Sequence, residues 1–167
     1  IYSLSCHIIT ISALSKKGYV EIFDSEVYRK PKITAEKKIT PIPPLTENQQ
    51  KAFEVLEKRI DDGKASAALL FGVTGSGKTQ VFIKLIEKVV NSGKGVIVMV
   101  PEIALTPQTI NVFYSYFGDT VAVFHSALSA GERIDEWKRV KNGDAKIAIG
   151  TRSAVFAPFD NLGLIVM

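Results

Sequence analysis

Residues 72–79 read Gly72-Val73-Thr74-Gly75-Ser76-Gly77-Lys78-Thr79, a G-x-x-x-x-G-K-T run that meets the Walker A pattern at every specified position. Such a run forms a phosphate cradle in one setting, with a buried strand before it and an amphipathic helix after it. Both flanks are present. Residues 67–71 are a short apolar run, and Val81, Phe82, Leu85, Ile86 and Val89 recur behind the loop at helical spacing. The glycines let successive backbone N–H groups converge on a polyphosphate, and the emerging helix adds the positive end of its dipole. Lys78 is then placed to neutralise the outer phosphates, and the Thr79 hydroxyl to ligate Mg²⁺.

The chain around the loop alternates short apolar runs with amphipathic ones, the pattern of an α/β fold with a largely parallel sheet. Thr46 and Gln49 have capping-box spacing, and Phe53, Leu56 and Ile60 give the following helix an apolar side. Strands are predicted at residues 96–100, 121–124, 146–149 and 162–167, and helices from Thr106-Pro107 and from Ser129. Ser129 and Glu132 make a second capping box, and Asn142-Gly143 closes that helix. Ile134, Trp137 and Val140 fall on one face of it, which places Trp137 in the core; Phe113, Tyr114 and Phe117 are placed there too.

Upstream, residues 8–17 carry a helical period ending at Gly18, and residues 19–23 read as a short strand. Four prolines between Arg29 and Pro44 interrupt any period, so residues 29–44 read as an extended linker. That divides the chain into a remnant over 1–28, the linker, and an α/β domain over 45–167. The 1–44 stretch holds seven basic and four acidic side chains, +3 of the total +4. A solvated linker accounts for that run as well as a phosphate-contacting surface does. The single cysteine, Cys6, allows neither an internal disulfide nor a thiolate zinc site. No apolar run of membrane-spanning length and no leader pattern is present, so the expected location is the cytoplasm.

A P-loop alone does not choose among kinases, GTPases, transporters and helicases. Hydrolysis requires a second metal-binding element, an acidic residue at the end of a neighbouring apolar strand. Residues 162–167 form such a strand and no Asp or Glu follows Met167, while Asp160 precedes the strand, at the wrong end of the sheet. The chain is therefore expected to bind nucleotide far better than it hydrolyses it. No complete catalytic set is present, Lys78 and Thr79 being the phosphate and Mg²⁺ contributors.

Five ordered blocks resemble PriA-type replication-restart DNA helicases of superfamily 2. Leu45-Thr46-Glu47-Asn48-Gln49 with Ala52 is similar to the family's glutamine motif. The P-loop followed by Gln80-Val81-Phe82 is similar to its Walker A segment, where Glu-Val-Tyr is more usual. Val100-Pro101-Glu102-Ile103-Ala104-Leu105-Thr106-Pro107-Gln108 is the most specific match. His125-Ser126 with Glu132-Arg133 and Trp137 is a further block, and residues 149–159, beginning Ile149-Gly150-Thr151-Arg152-Ser153, another. Residues 19–21 and 26–29 resemble the end of the winged helix that precedes the family's motor.

The resemblance implies a RecA-like P-loop NTPase lobe over 45–167, truncated before the family's Asp-Glu-Glu-His motif, and a partial winged-helix remnant over 1–28. The cofactors it implies are ATP and Mg²⁺, bound by Gln49 at the adenine and by residues 72–79 at the phosphates. Gln49 is equally a plain capping residue. Thr106, Thr151 and Arg152 would contact DNA phosphates. Against this, Thr106 reads as a helix N-cap and Arg152 as an ordinary surface charge. Glu102 and His125 are assigned to coupling. Zinc is expected only in parts of the family's proteins that this chain does not contain. The implied partners are single-stranded or forked DNA, primosome proteins and single-strand-binding proteins, with no membrane. The activity implied for the whole protein is ATP-driven 3′-to-5′ unwinding. The alternative is a nucleotide-sensing or protein-docking module without turnover. A small-molecule kinase would need a lid and an acceptor site, neither of which is identifiable.

Overall fold

The computed structural model describes residues 8–23 and 39–167. Cys6, residues 24–28 of the expected remnant and residues 29–38 of the expected linker lie outside the described residues. The helices are α1 (Ile8–Lys16), α2 (Glu47–Asp61), α3 (Lys78–Asn91), α4 (Pro107–Phe117) and α5 (Ala130–Lys141). The strands β1 (Gly95–Met99), β2 (Val121–Phe124), β3 (Ile147–Gly150) and β4 (Leu162–Val166) form one all-parallel sheet in the order β2-β3-β1-β4. The fold is therefore α/β with a parallel sheet.

Strand side chains alternate between faces, so β1, β2 and β3 each contribute to two cores. Val96, Val98, Val121, Val123, Ile147 and Ile149 meet Ile83, Ile86 and Val89 of α3 and Ile110, Phe113 and Phe117 of α4. The alternate residues Ile97, Ala122, Phe124 and Ala148 pack on the other side with Val140, Ala145, Ala154 and Ala157. The result is three layers. Because α3 packs on the sheet and leads directly into the start of β1, its own N-terminus lies at the carboxyl edge of the strands. Ligands of open α/β sheets bind at that edge.

Both capping boxes are formed. Gln49 Oε1 accepts from the Thr46 N–H at 2.9 Å, and Glu132 Oε2 accepts from the Ser129 N–H at 2.9 Å. Residues 39–44, read as linker, lie against α4: the Thr40 N–H donates to Ser115 O at 2.6 Å, and Ile42 packs on the larger core.

Three local expectations are corrected. Residues 19–23 form no strand, and Tyr19 and Phe23 are 75% and 77% exposed. Residues 67–71 run ahead of the P-loop without joining the ladder, leaving Leu69 and Phe71 88% and 90% exposed. An apolar run becomes a strand only through paired neighbours, which composition does not supply. Trp137 is not core but 44% exposed, and Ile134 is 56% exposed. The face of α5 that turns inward carries Glu136, Arg139 and Val140 instead, for a reason found at the sheet edge.

At β2, Thr120 O and Phe124 O accept from the Lys146 and Thr151 N–H groups beside β3, so Val121 and Val123 direct their backbone groups outward. Side chains of α5 fill the place of a fifth strand. Glu136 Oε2 accepts from the Val123 N–H at 2.8 Å, and Arg139 Nη2 donates to Val121 O at 3.2 Å and to Asp119 O. The pair closes on itself at 2.7 Å. Burial alone would lower the Arg139 pKa; the adjoining Glu136 carboxylate outweighs it and holds the guanidinium above its ordinary value.

Candidate nucleotide-binding site

Two glycine conformations, on either side of Ser76, shape the loop. Gly75 and Gly77 have φ of +80° and +77°, a region that side-chain-bearing residues rarely adopt, and Gly77 caps α3. The Ser76 N–H donates back to Val73 O at 3.2 Å, tightening the turn. Lys78 Nζ donates to Gly72 O at 2.7 Å and to Val73 O at 2.9 Å, so the ammonium lies over the loop it belongs to. A polyphosphate offers oxygens of greater charge to the same donor. Thr79, in the first turn of α3, is exposed.

The loop is supported from the side by α2, which runs parallel to α3. Lys88 Nζ joins Glu57 at 2.8 Å and Asp61 at 2.7 Å, and its hydrogen bonds to Asp61 and Glu57 raise its pKa. Toward the other end of the pair, Gln49 Nε2 donates to Ser76 O at 3.2 Å. From Gln49 to Asp61 is about 18 Å of helix, and from Gly77 to Lys88 about 16 Å, so the two contacts are in register. The Gln49–Ser76 contact was not legible in the sequence. The capping spacing exposed only the half of the carboxamide that serves Thr46.

The remaining expected residues lie on loops at the same carboxyl edge, in different environments. Thr106 caps α4, its Oγ accepting from the Thr109 N–H at 3.2 Å. Thr151 is 8% exposed, with its N–H on Phe124 O. Arg152 is 90% exposed, and its Nε stands 3.5 Å from Glu102 Oε1, linking the loop after β3 to the loop after β1. His125 follows β2, half-buried, and its carbonyl accepts from the Leu128 N–H at 3.3 Å. Asp160 is joined to Lys141 at 2.7 Å, at the opposite end of β4 from the loop. A separate groove of about 430 Å³ between residues 44–53 and the outer side of α3 includes Phe53, Lys84 and Asn91. Among the described residues no group of three His, Cys, Asp or Glu side chains could hold a metal ion.

A sequence model of the family described as "Type III restriction enzyme, res subunit" matches residues 42–164. The chain belongs to that family. It is also 47% identical over 158 residues to "Replication restart protein PriA" of Bacillus subtilis (strain 168), covering 95% of this chain and 20% of that protein. The PriA of Synechocystis is 41% identical over 168 residues, 99% of this chain and 19% of the relative. That of Chlamydia muridarum is 41% identical over 157 residues, 94% and 21% respectively. The chain spans about a fifth of the length of these curated relatives and is homologous to that part of PriA. The parallel α/β domain is accordingly a RecA-like helicase lobe. No helix among the described residues is long and apolar enough to cross a membrane.

Proposed function

We propose that this chain is the ATP-binding lobe of a PriA-type, ATP-dependent 3′-to-5′ DNA helicase serving replication restart and primosome assembly in the cytoplasm. The observation that carries the reading is the P-loop itself. A positive-φ Gly77 caps α3, and Lys78 Nζ lies within 2.9 Å of two loop carbonyls, where phosphate oxygens would take their place. The 47% identity to a replication restart protein supports the choice of helicase over other P-loop proteins.

In this reading the backbone N–H groups of residues 72–79 and the α3 N-terminus bind the phosphates, and Lys78 exchanges its carbonyl partners for phosphate oxygens. The Thr79 hydroxyl is the chain's ligand for Mg²⁺, which when bound supplies charge neutralisation at the outer phosphates. Gln49 lies beside the loop, on the side where the base is assigned.

DNA is assigned to the loops after β1 and β3. Of Thr106, Thr151 and Arg152, Arg152 carries the exposed charge, and its phosphate contact would be independent of sequence. Glu102, 3.5 Å from Arg152, and His125 after β2 are placed to relay changes between the loops. Nucleotide-dependent affinity for DNA then requires two states of the motor that bind DNA differently. Primosome and single-strand-binding proteins are the partners this reading assigns to the whole protein, and zinc belongs to its other parts.

Calorimetric titration of Mg-ADP into the chain, with Lys78→Ala beside it, tests the nucleotide site. Loss of a charge-assisted contact is expected to weaken binding by about 10- to 100-fold. A folded wild-type chain that takes up no nucleotide, or binds as well without Lys78, overturns the reading.

A further inference from the structure

The Gln49 carboxamide is held at both ends. Its Oε1 accepts from the Thr46 N–H, and its Nε2 donates to Ser76 O. The two partners leave no ambiguity about which end is which, because an N–H only donates and a carbonyl only accepts. Gly77 completes the fit: a Cβ there would collide with Gln49 Nε2. The side chain therefore occupies the space that the glycine leaves open.

What this does to the loop follows from peptide geometry. No cis peptide bond is present among the described residues, so the Ser76 carbonyl and the Gly77 N–H point in opposite directions across one rigid plane. Gln49 approaches from α2, on the flank of the loop. A carbonyl turned toward α2 turns the Gly77 N–H to the opposite side, away from α2.

We propose that Gln49 is a positioning residue for the phosphate loop: by holding the Ser76 carbonyl it fixes the Ser76–Gly77 peptide with its N–H facing the phosphates. The inference rests on the reading of residues 72–79 as a polyphosphate site. It differs from a base contact in a measurable way, since its effect does not need a base. The clamp is also tied to the fold, because the Lys88 bridges hold α2 against α3 in the register that brings Gln49 to Ser76.

The test compares Mg-ATP with inorganic Mg-tripolyphosphate, which has phosphates and no base, on the wild-type chain and on Gln49→Ala. The Gly77 amide resonance is followed in both. Loss of one hydrogen bond is expected to weaken both ligands by a similar factor, about fivefold. The Gly77 resonance should shift on adding tripolyphosphate to the wild type and shift less in the variant. Weakened ATP with unchanged tripolyphosphate would make Gln49 a base contact and overturn the proposal, as would unchanged binding of both.

Gln49→Glu covers the case in which the alanine variant does not fold. It keeps the oxygen that caps Thr46 while removing the donor to Ser76, and undiminished tripolyphosphate binding by it overturns the proposal equally. A wild-type chain that binds no tripolyphosphate, with Lys78→Ala indistinguishable from it, overturns the underlying site reading and this inference together.

Discussion

Two glutamate–arginine pairs occupy this lobe, one beneath the β2 edge and one above the carboxyl ends of β1 and β3. Glu136 and Arg139 are 2.7 Å apart with side chains 0% and 5% exposed; Glu102 and Arg152 are 3.5 Å apart and 58% and 90% exposed. The first pair spends its hydrogen-bonding capacity on backbone groups that would otherwise form an open strand edge. The second pair makes one long contact in water, where such pairs contribute little. The same two residue types are thus structural in one place and open to solvent in the other. The difference lies in what else each partner touches.

The largest effect should come from breaking the buried pair at one end. Glu136→Ala leaves a buried guanidinium without its counter-charge and an unpaired Val123 N–H, and is expected to cost about 3–5 kcal/mol. Urea unfolding measures it, and a loss under about 1 kcal/mol would mean that water reaches the edge and the pair is not structural. Tyr114 sharpens the same side of the comparison more gently. Its hydroxyl donates to Val121 O at 3.4 Å, and Tyr114→Phe should cost about 0.5–1.5 kcal/mol in the same assay.

The Tyr114 phenol also gives the buried site a pH signature. Burial first, and the charge of Glu136 in addition, push it up from 10.0 to about 12. The folded chain therefore keeps a proton that the unfolded chain releases near pH 10, so this contribution is intact below that pH and is lost as pH rises toward 12. Tyrosinate absorbance during alkaline titration should show a late-titrating component that Tyr114→Phe removes.

The exposed pair should give the smallest stability change. Arg152→Ala is expected to alter stability by less than about 0.5 kcal/mol. It should nevertheless weaken binding of single-stranded DNA and lower the slope of log affinity against log salt by about one. Titrating a labelled oligonucleotide at several salt concentrations measures both. An Arg152→Ala chain that unfolds more readily but keeps its salt slope would reverse the roles assigned to the two pairs.

The buried pair also shows where sequence reading stopped. The helical period of α5 placed Trp137 inside and gave no sign that Glu136 and Arg139 would displace it, because a charge is buried only when fixed partners await it. Those partners are the Val121 and Val123 backbone groups, more than ten residues away. At the nucleotide site the division is similar. Residues 72–79 were legible because a Walker A loop is local, and its spacing states its chemistry. The bond between Gln49 and Ser76 spans 27 residues and required the parallel register of α2 and α3.

By itself the sequence determined the order of the helices and of the four sheet strands, the alternation that makes a parallel α/β sheet, both capping boxes and the phosphate loop. Each is set by periodicity or by contacts within a few residues along the chain. Tertiary structure decided which apolar runs became strands, leaving residues 67–71 outside the ladder. It also decided which face of α5 turned inward, and whether a polar residue was buried, as Thr151 is, or left exposed, as Arg152 is. Those outcomes depend on neighbours brought from distant parts of the chain, whose backbone hydrogen bonds and burial no local pattern records.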